Sequence, residues 1–246
     1  HNIVCNGNKV EAKDAKYIDL LRGEKAQKVA HIPEIVMDGV VFGDGCVHKA
    51  SNNLVHLYVG KNDQEYFNSE IAHLFGRKRD GLKKDMAWEI QTNIEHFEIP
   101  RTYDRVIPDR YFYGDFATVC SFLRGLFTAN GSIAGGRVTL KASSKRVIEQ
   151  VQIMLNSLGI ASYYTINKSR MNTFSNGDYV MKESYDLNIT RDRELFKELI
   201  GFIQQYKIES LNKHLPKISP RREAANKEIT KSEFFSTEEV GNITVD

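Results

Sequence analysis

Cysteine is scarce in this chain: Cys5, Cys46 and Cys120 are the only three in 246 residues. They share no metal-type spacing, so neither a structural zinc site nor a disulfide framework is expected, and a reducing compartment is. No apolar run approaches the length of a bilayer span and no signal-peptide pattern opens the sequence, so neither a membrane partner nor export is expected. The formal net charge is +2, too small to announce a polyanionic partner by itself. What is present is ordinary for a globular protein. At 41% apolar and 27% charged residues, this length supports one large or two modest domains with real cores.

The charge is more informative in its distribution than in its sum. Arg77-Lys78-Arg79 with Lys83-Lys84, and later Arg137, Lys141, Lys145, Arg146, Lys168 and Arg170, form basic clusters placed similarly in two halves of the chain. The halves share a pattern. Met37-Asp38-Gly39-Val40-Val41-Phe42-Gly43-Asp44-Gly45 recurs as Leu123-Arg124-Gly125-Leu126-Phe127-Thr128-Ala129-Asn130-Gly131. Both copies are apolar, carry small residues four apart and end in a turn glycine, but the first has a carboxylate before that glycine and the second an amide.

The segments around the two copies also match. Ile32-Pro33-Glu34 is a helix-start signal, and Ile35 to Gly43 reads as a buried helix. Cys46 to Lys49 and Leu54 to Val59 read as a strand pair around residues 50–53, followed by a helix from Gln64 to Phe75. In the second half a helix over Phe122 to Ala129 precedes strands flanking a Gly135-Gly136 turn. A helix from Ser143-Ser144 to Gly159 comes next, then strands at Tyr163 to Ile166 and Tyr185 to Thr190, and a helix near Glu194 to Ile203. Asn172 to Gly177 reads as a loop. Arg105-Val106-Ile107-Pro108 and Lys213-His214-Leu215-Pro216 close the two halves alike. A duplicated helix–strand–strand–helix unit in an α+β fold is the expectation.

Small residues on one face let two helices approach closely, so the two repeat helices are expected to pack about a pseudo-two-fold axis with Asp44 and Asn130 side by side. A carboxylate at a helix C-terminus opposes the partial negative charge there, and a divalent cation offsets that cost. Asp-Gly is also good turn chemistry; the second, matched helix end favours metal at Asp44. The strand pairs supply alternating faces on which Lys49, His56, Tyr58, Lys61, Arg137, Thr139 and Lys141 stand, with Lys168 and Arg170 nearby. A β-ribbon fits a DNA major groove, and a near-symmetric molecule suits a two-stranded substrate.

These residues resemble the LAGLIDADG homing endonucleases in their single-chain, two-repeat form. The resemblance rests on Gly39…Gly43-Asp44-Gly45 and Leu123-x-Gly125-Leu126…Ala129-Asn130-Gly131, with Leu155-x-x-Leu158-Gly159-Ile160 close to the form found inside inteins. The ends are similar to a splicing domain (Hint): His1-Asn2-Ile3-Val4-Cys5 through Leu21 at the start, and Glu238 to Asp246 at the finish. The resemblance implies splicing-domain remnants at 1–31 and 223–246, and duplicated αββαββα-type LAGLIDADG repeats at 32–118 and 119–222. It makes His1 the residue that activates the upstream splice junction. The chain has no Cys or Ser nucleophile at its start and no His-Asn at its end, so alone it is not expected to splice.

The family's roles fall on Asp44, Gly43, Asn130 and Ala129 for magnesium (or manganese), and on Arg105 and Lys213 for the basic function. The implied activity is site-specific hydrolysis of phosphodiester bonds in a long double-stranded DNA target, the uninterrupted host gene. The molecule is expected to be a monomer with an internal pseudo-dimer, cytoplasmic, or nuclear in a eukaryotic host. Two positions depart from the pattern: Asn130 has lost the charge that holds a hard cation, and Arg105 cannot give up a proton. Asn130 and Arg105 are expected to share a degenerate centre, and Asp44 and Lys213 an intact one, so the chain nicks or only binds. The alternatives are a decayed DNA-binding remnant within a splicing element, and an RNA maturase.

Overall fold

The computed structural model describes residues 2–5, 8–19, 23, 25–47, 54–59, 77–79, 86–91, 98–175, 177–215, 226–231 and 233. The chain divides into two units, one made of both ends, His1–Leu21 with Arg221–Asp246, and one of Arg22–Pro220.

The larger unit is organised around two helices. Helix α1 spans Pro33–Asp44, with proline at its first position, where the missing N–H costs nothing. Its central residues Val36 to Phe42 are all buried. A short helix α2, Asp109–Phe112, precedes α3, Phe116–Asn130. Helix α3 begins six residues before the expected Phe122, because the Asp115 carboxylate accepts from the Thr118 N–H and caps the helix there.

The packing of α1 on α3 explains the small residues. A Cβ on Gly125 would lie 2.7 Å from the Val40 nitrogen and closer still to the Val36 carbonyl. A Cβ on Gly39 would lie 2.9 Å from the Leu126 nitrogen and closer still to the Phe122 carbonyl. The two sets of contacts are reciprocal, since Val36 and Phe122 each stand three residues before the glycine of their own helix. Lower down, a Cβ on Gly43 would meet the Ala129 Cβ at 2.6 Å.

Each repeat helix runs into a four-stranded antiparallel sheet. After α1 come β4 (Cys46–Val47), β5 (Leu54–Val59), β6 (Arg77–Arg79) and β7 (Met86–Gln91), in the spatial order β4-β5-β7-β6. After α3 come β8 (Gly131–Ala134), β9 (Arg137–Ala142), β10 (Tyr163–Asn167) and β13 (Ser184–Ile189), ordered β8-β9-β13-β10. Ranked by chain position, the two orders are identical. The Gly135-Gly136 turn of the β8–β9 hairpin has both φ angles positive, as a tight hairpin turn demands. Helix α4, Lys145–Ser157, is capped by Ser144, whose hydroxyl accepts from the Val147 N–H, and ends at Gly159 with φ +78°. Its buried face of Val147, Ile148, Val151, Met154 and Leu155 closes the core with Leu140, Leu187 and Phe196.

Three expectations need correction. Residues 172–177 are not an irregular loop: β11 (Arg170–Phe174) and β12 (Gly177–Met181) form a separate hairpin between β10 and β13. The helix expected to reach Ile203 is α5, Arg193–Leu199, and it stops because Gly201 takes a left-handed φ of +62°. A further helix, α6, spans Gln205–His214, so Lys213 stands inside a helix rather than after one. The helix expected over 64–75 lies outside the described residues.

In the unit built from the chain ends, β1 (Asn2–Cys5) pairs with β2 (Asn8–Glu11), and β3 (Tyr17–Asp19) pairs with β14 (Asn226–Glu228). Residues more than 200 positions apart are thus neighbours in one ladder, which the Ile229 N–H extends by donating to the Lys16 carbonyl.

Candidate active site

Asp44 and Asn130 are the last residues of α1 and α3, and the close helix crossing carries both to one place. They line a single cavity of about 460 Å³ together with Gly43, Arg105, Lys141 and Ser144. Asp44 is exposed and Asn130 half-buried. The glycine after each is extended, with φ −72° at Gly45 and −91° at Gly131, so neither is a turn glycine in the left-handed sense. At Gly131 the demand is space: a Cβ would press on the Phe127 main chain of the preceding turn.

Cations cap both helix ends. Arg105 Nη1 donates to the Phe42 carbonyl at 2.9 Å and to the Gly43 carbonyl at 3.1 Å. This meets the partial negative charge where α1 runs out of internal donors. Arg105 is itself held by its main chain, whose carbonyl accepts from the Ser144 hydroxyl at 2.7 Å. At the end of α3 the equivalent of Phe42 is Thr128, and its carbonyl accepts from Lys207 Nζ at 2.7 Å and from Gln204 Nε2 at 2.9 Å. Lys207 is buried, its ammonium 5.6 Å from the centre of the Phe202 ring. Sequence reading missed it. Its only signal was a lysine five residues after the Gly201-Phe202 helix break, and that carries no weight without the fold.

Lys213, expected in the basic role, is exposed on the last turn of α6 and is not among the residues lining the cavity. Ala129 lies beside Gly43 in the helix crossing. Arg137, Thr139 and Lys141 alternate along β9 with buried Val138 and Leu140, so the three share its outer face. Thr139 Oγ1 and Ser132 Oγ are hydrogen-bonded at 2.8 Å across the hairpin. Lys168 and Arg170 are exposed at the base of the β11–β12 hairpin. His56 and Tyr58 hold alternate positions of β5, while His1, Lys49 and Lys61 lie outside the described residues.

Residues 117–209 match the LAGLIDADG-like domain. That segment runs from α3 to α6 and so carries Asn130, Lys141 and Lys207. The chain is also similar to a probable translation initiation factor IF-2 of Methanocaldococcus jannaschii, 31% identical over 73% of this chain and 16% of that protein. An elongation factor 2 of Methanopyrus kandleri is 24% identical over 84% of this chain and 16% of its own length. A glutamine–fructose-6-phosphate aminotransferase of Methanocaldococcus jannaschii is 26% identical over 76% and 18%. The chain thus spans about a sixth of the length of each of these relatives. Among solved structures, I-DmoI in complex with DNA and manganese aligns over 69% of this chain and 96% of its own, at 17% identity and TM-score 0.45. The N-terminal LAGLIDADG domain of WhiA aligns over 78% and 84%, at 13% identity and TM-score 0.36.

Proposed function

We propose that the chain is an intein-borne LAGLIDADG endonuclease with two repeats, binding double-stranded DNA across its two sheets and hydrolysing phosphodiester bonds with a divalent cation. The observation that carries this reading is the convergence of Asp44, Asn130 and Arg105 on one cavity at the ends of two crossed helices. The match of residues 117–209 supports it. Support for the insert comes from the relatives. An initiation factor, an elongation factor and an aminotransferase have no chemistry in common, yet each resembles this chain over about a sixth of its length. A segment indifferent to its host's function is what a mobile insert looks like. On this reading the unit formed by both chain ends is the splicing-domain remnant.

The donor set fits a hard cation: the Asp44 carboxylate with oxygen donors at Gly43 and Asn130, and no group of three or more His, Cys, Asp or Glu among the described residues. Magnesium is commonly held by one or two carboxylates, with water and phosphate completing its shell. Bound there, it would supply charge stabilisation for the phosphate and lower the pKa of water. Arg105 positions the Gly43 carbonyl and adds fixed positive charge without acting as a base. The second basic position falls to Lys207, which fixes the Thr128 carbonyl two residues before Asn130. With a carboxylate on one side only, the site is built to cut one strand.

The test is a supercoiled plasmid carrying the uninterrupted host-gene sequence, incubated with magnesium. The natural chain is expected to give nicked circles without linear product, Asn130→Asp to give linear DNA, and Asp44→Asn to give neither. Linearisation by the natural chain as fast as by Asn130→Asp overturns the single-strand reading. Binding without nicking would favour the decayed remnant, which the Asn130 and Arg105 departures also suit.

A further inference from the structure

The two helix ends that meet at the cavity carry unequal charge. On the α1 side stand Asp44 and Arg105. On the α3 side stand Asn130, the Lys207 ammonium on the Thr128 carbonyl, and Lys141. The sheet puts Lys141 there. Gly131 pairs with Leu140 in the β8–β9 ladder, so one further step of the register sets position 130 opposite position 141. Leu140 is buried and Lys141 exposed, which turns Lys141 to the side where the cavity opens. In the first half, Cys46 pairs with His56 and Leu57 is the buried counterpart of Leu140. The place equivalent to Lys141 is therefore Tyr58, which has no formal positive charge. The repeat that lost its acid is the one with a cation beside the amide.

We propose that Lys141 stands in for a second divalent cation, leaving a centre that holds one metal ion at Asp44 and meets the phosphate with the Lys141 ammonium on the other side. The inference rests on the phosphodiester reading above. Charge balance supports it. Two doubly charged cations need several carboxylates around them, whereas among the described residues those lining the cavity offer one, Asp44, against two side-chain cations, Arg105 and Lys141. An ammonium is a compact point charge with three donors, suited to phosphate oxygens. Asp186 is the register partner of Lys141 on β13, but its carboxylate accepts from Asn167 Nδ2 at 2.9 Å and does not line the cavity.

The experiment counts Mn2+ bound by the full chain with its duplex, from the loss of the free-ion electron paramagnetic resonance signal, so that cleavage is not the readout. One ion is expected for the natural chain and for Lys141→Met, and none for Asp44→Asn. Asn130→Asp should gain a weak second site that tightens about tenfold when Lys141→Met is added, and that stays weak with Lys141→Arg. Two ions in the natural chain, or a second site equally tight in Asn130→Asp with and without Lys141→Met, overturns the role of Lys141 and leaves the endonuclease reading standing. No ion in the natural chain, or undiminished binding by Asp44→Asn, overturns both. A second measurement needs no variant at position 130. In EDTA, Lys141→Met should lower the salt dependence of duplex binding by about one counterion, and an unchanged slope also overturns the proposal.

Discussion

The ends of α1 and α3 are equivalent in backbone and unequal in charge. Both finish on an extended glycine that leads into a strand, both have a cation on the carbonyl two residues before the site, and both deliver an oxygen-bearing side chain to one cavity. The backbone equivalence is enforced by packing, because each helix leaves its partner no room for a Cβ. The side chains at 44 and 130 differ although the backbones match: both line the cavity, one as a carboxylate and the other as an amide. Shape is shared at the crossing, and charge differs at the cavity.

The most forceful way to break the equivalence is at the crossing itself. Gly125→Val puts branched carbons onto the Val36 carbonyl and the Val40 nitrogen, main-chain atoms that cannot swing aside. It should cost at least about 4 kcal/mol, enough to leave the larger unit largely unfolded. Gly43→Ala meets side chains rather than main chain, those of Ala129 and Asn130 near the helix ends, and about 1–2 kcal/mol is expected. Urea unfolding followed by circular dichroism ranks the two, and equal losses would show that the crossing is looser than its contacts imply.

A second difference between the helices lies one residue before the crossing glycines. Asp38 on α1 is buried and accepts from the Tyr111 hydroxyl at 2.7 Å, whereas its counterpart Arg124 on α3 donates to the Ile200 carbonyl at the end of α5. Tyr111→Phe removes a donor from a buried carboxylate and should cost about 1–3 kcal/mol. Burial, and then the Asp38 charge, raise the Tyr111 phenol above its ordinary range. A raised pKa means the fold favours the neutral phenol, so this stability is fully present below about pH 10 and is lost as pH rises above it. Unfolding midpoints of the natural chain should therefore fall above that pH, and those of Tyr111→Phe should fall less.

The helices and their matched ends were readable because they rest on local patterns: small residues four apart, a proline-acid start, the Gly135-Gly136 turn. What escaped depends on long-range contact. Lys207 and Thr128 are 79 residues apart, and Arg105 meets the end of α1 from 62 residues away. Spacing to a proline pointed to Lys213, whereas the ammonium that reaches the end of α3 is that of Lys207, on the Thr128 carbonyl. Helix α6 was missed because Gly201 resets the chain, and its buried positions Lys207 and Leu211 include a charged residue that hides the apolar face.

Ser144 tests the support of Arg105, which only the α1 side requires. Its hydroxyl accepts from the Val147 N–H and donates to the Arg105 carbonyl. Ser144→Ala should cost about 1 kcal/mol through the lost cap, read as a lower unfolding midpoint. If Arg105 is set by this bond, the same variant should loosen the Mn2+ binding proposed for Asp44 more than Lys207→Met does.

The smallest effect concerns a residue that joins the two halves. His31 lies just before α1, and its Nε2 meets the Leu199 carbonyl at the end of α5 at 2.9 Å. Burial lowers its pKa, the bond to Leu199 opposes that, and the charges of Arg124 and Lys28 lower it further. A lowered pKa means the fold favours neutral imidazole. The contribution is therefore complete above about pH 6.5 and disappears as pH falls through the folded value. The ring is only partly shielded from water, so after solvent screening a few tenths of a kcal/mol is expected. His31→Gln keeps a donor for Leu199 but does not titrate, and its midpoint should hold steady from pH 8 to pH 5 while that of the natural chain drops. A drop of the same size in both would place the acid sensitivity elsewhere, and the join between α1 and α5 would then rest on the hydrogen bond alone.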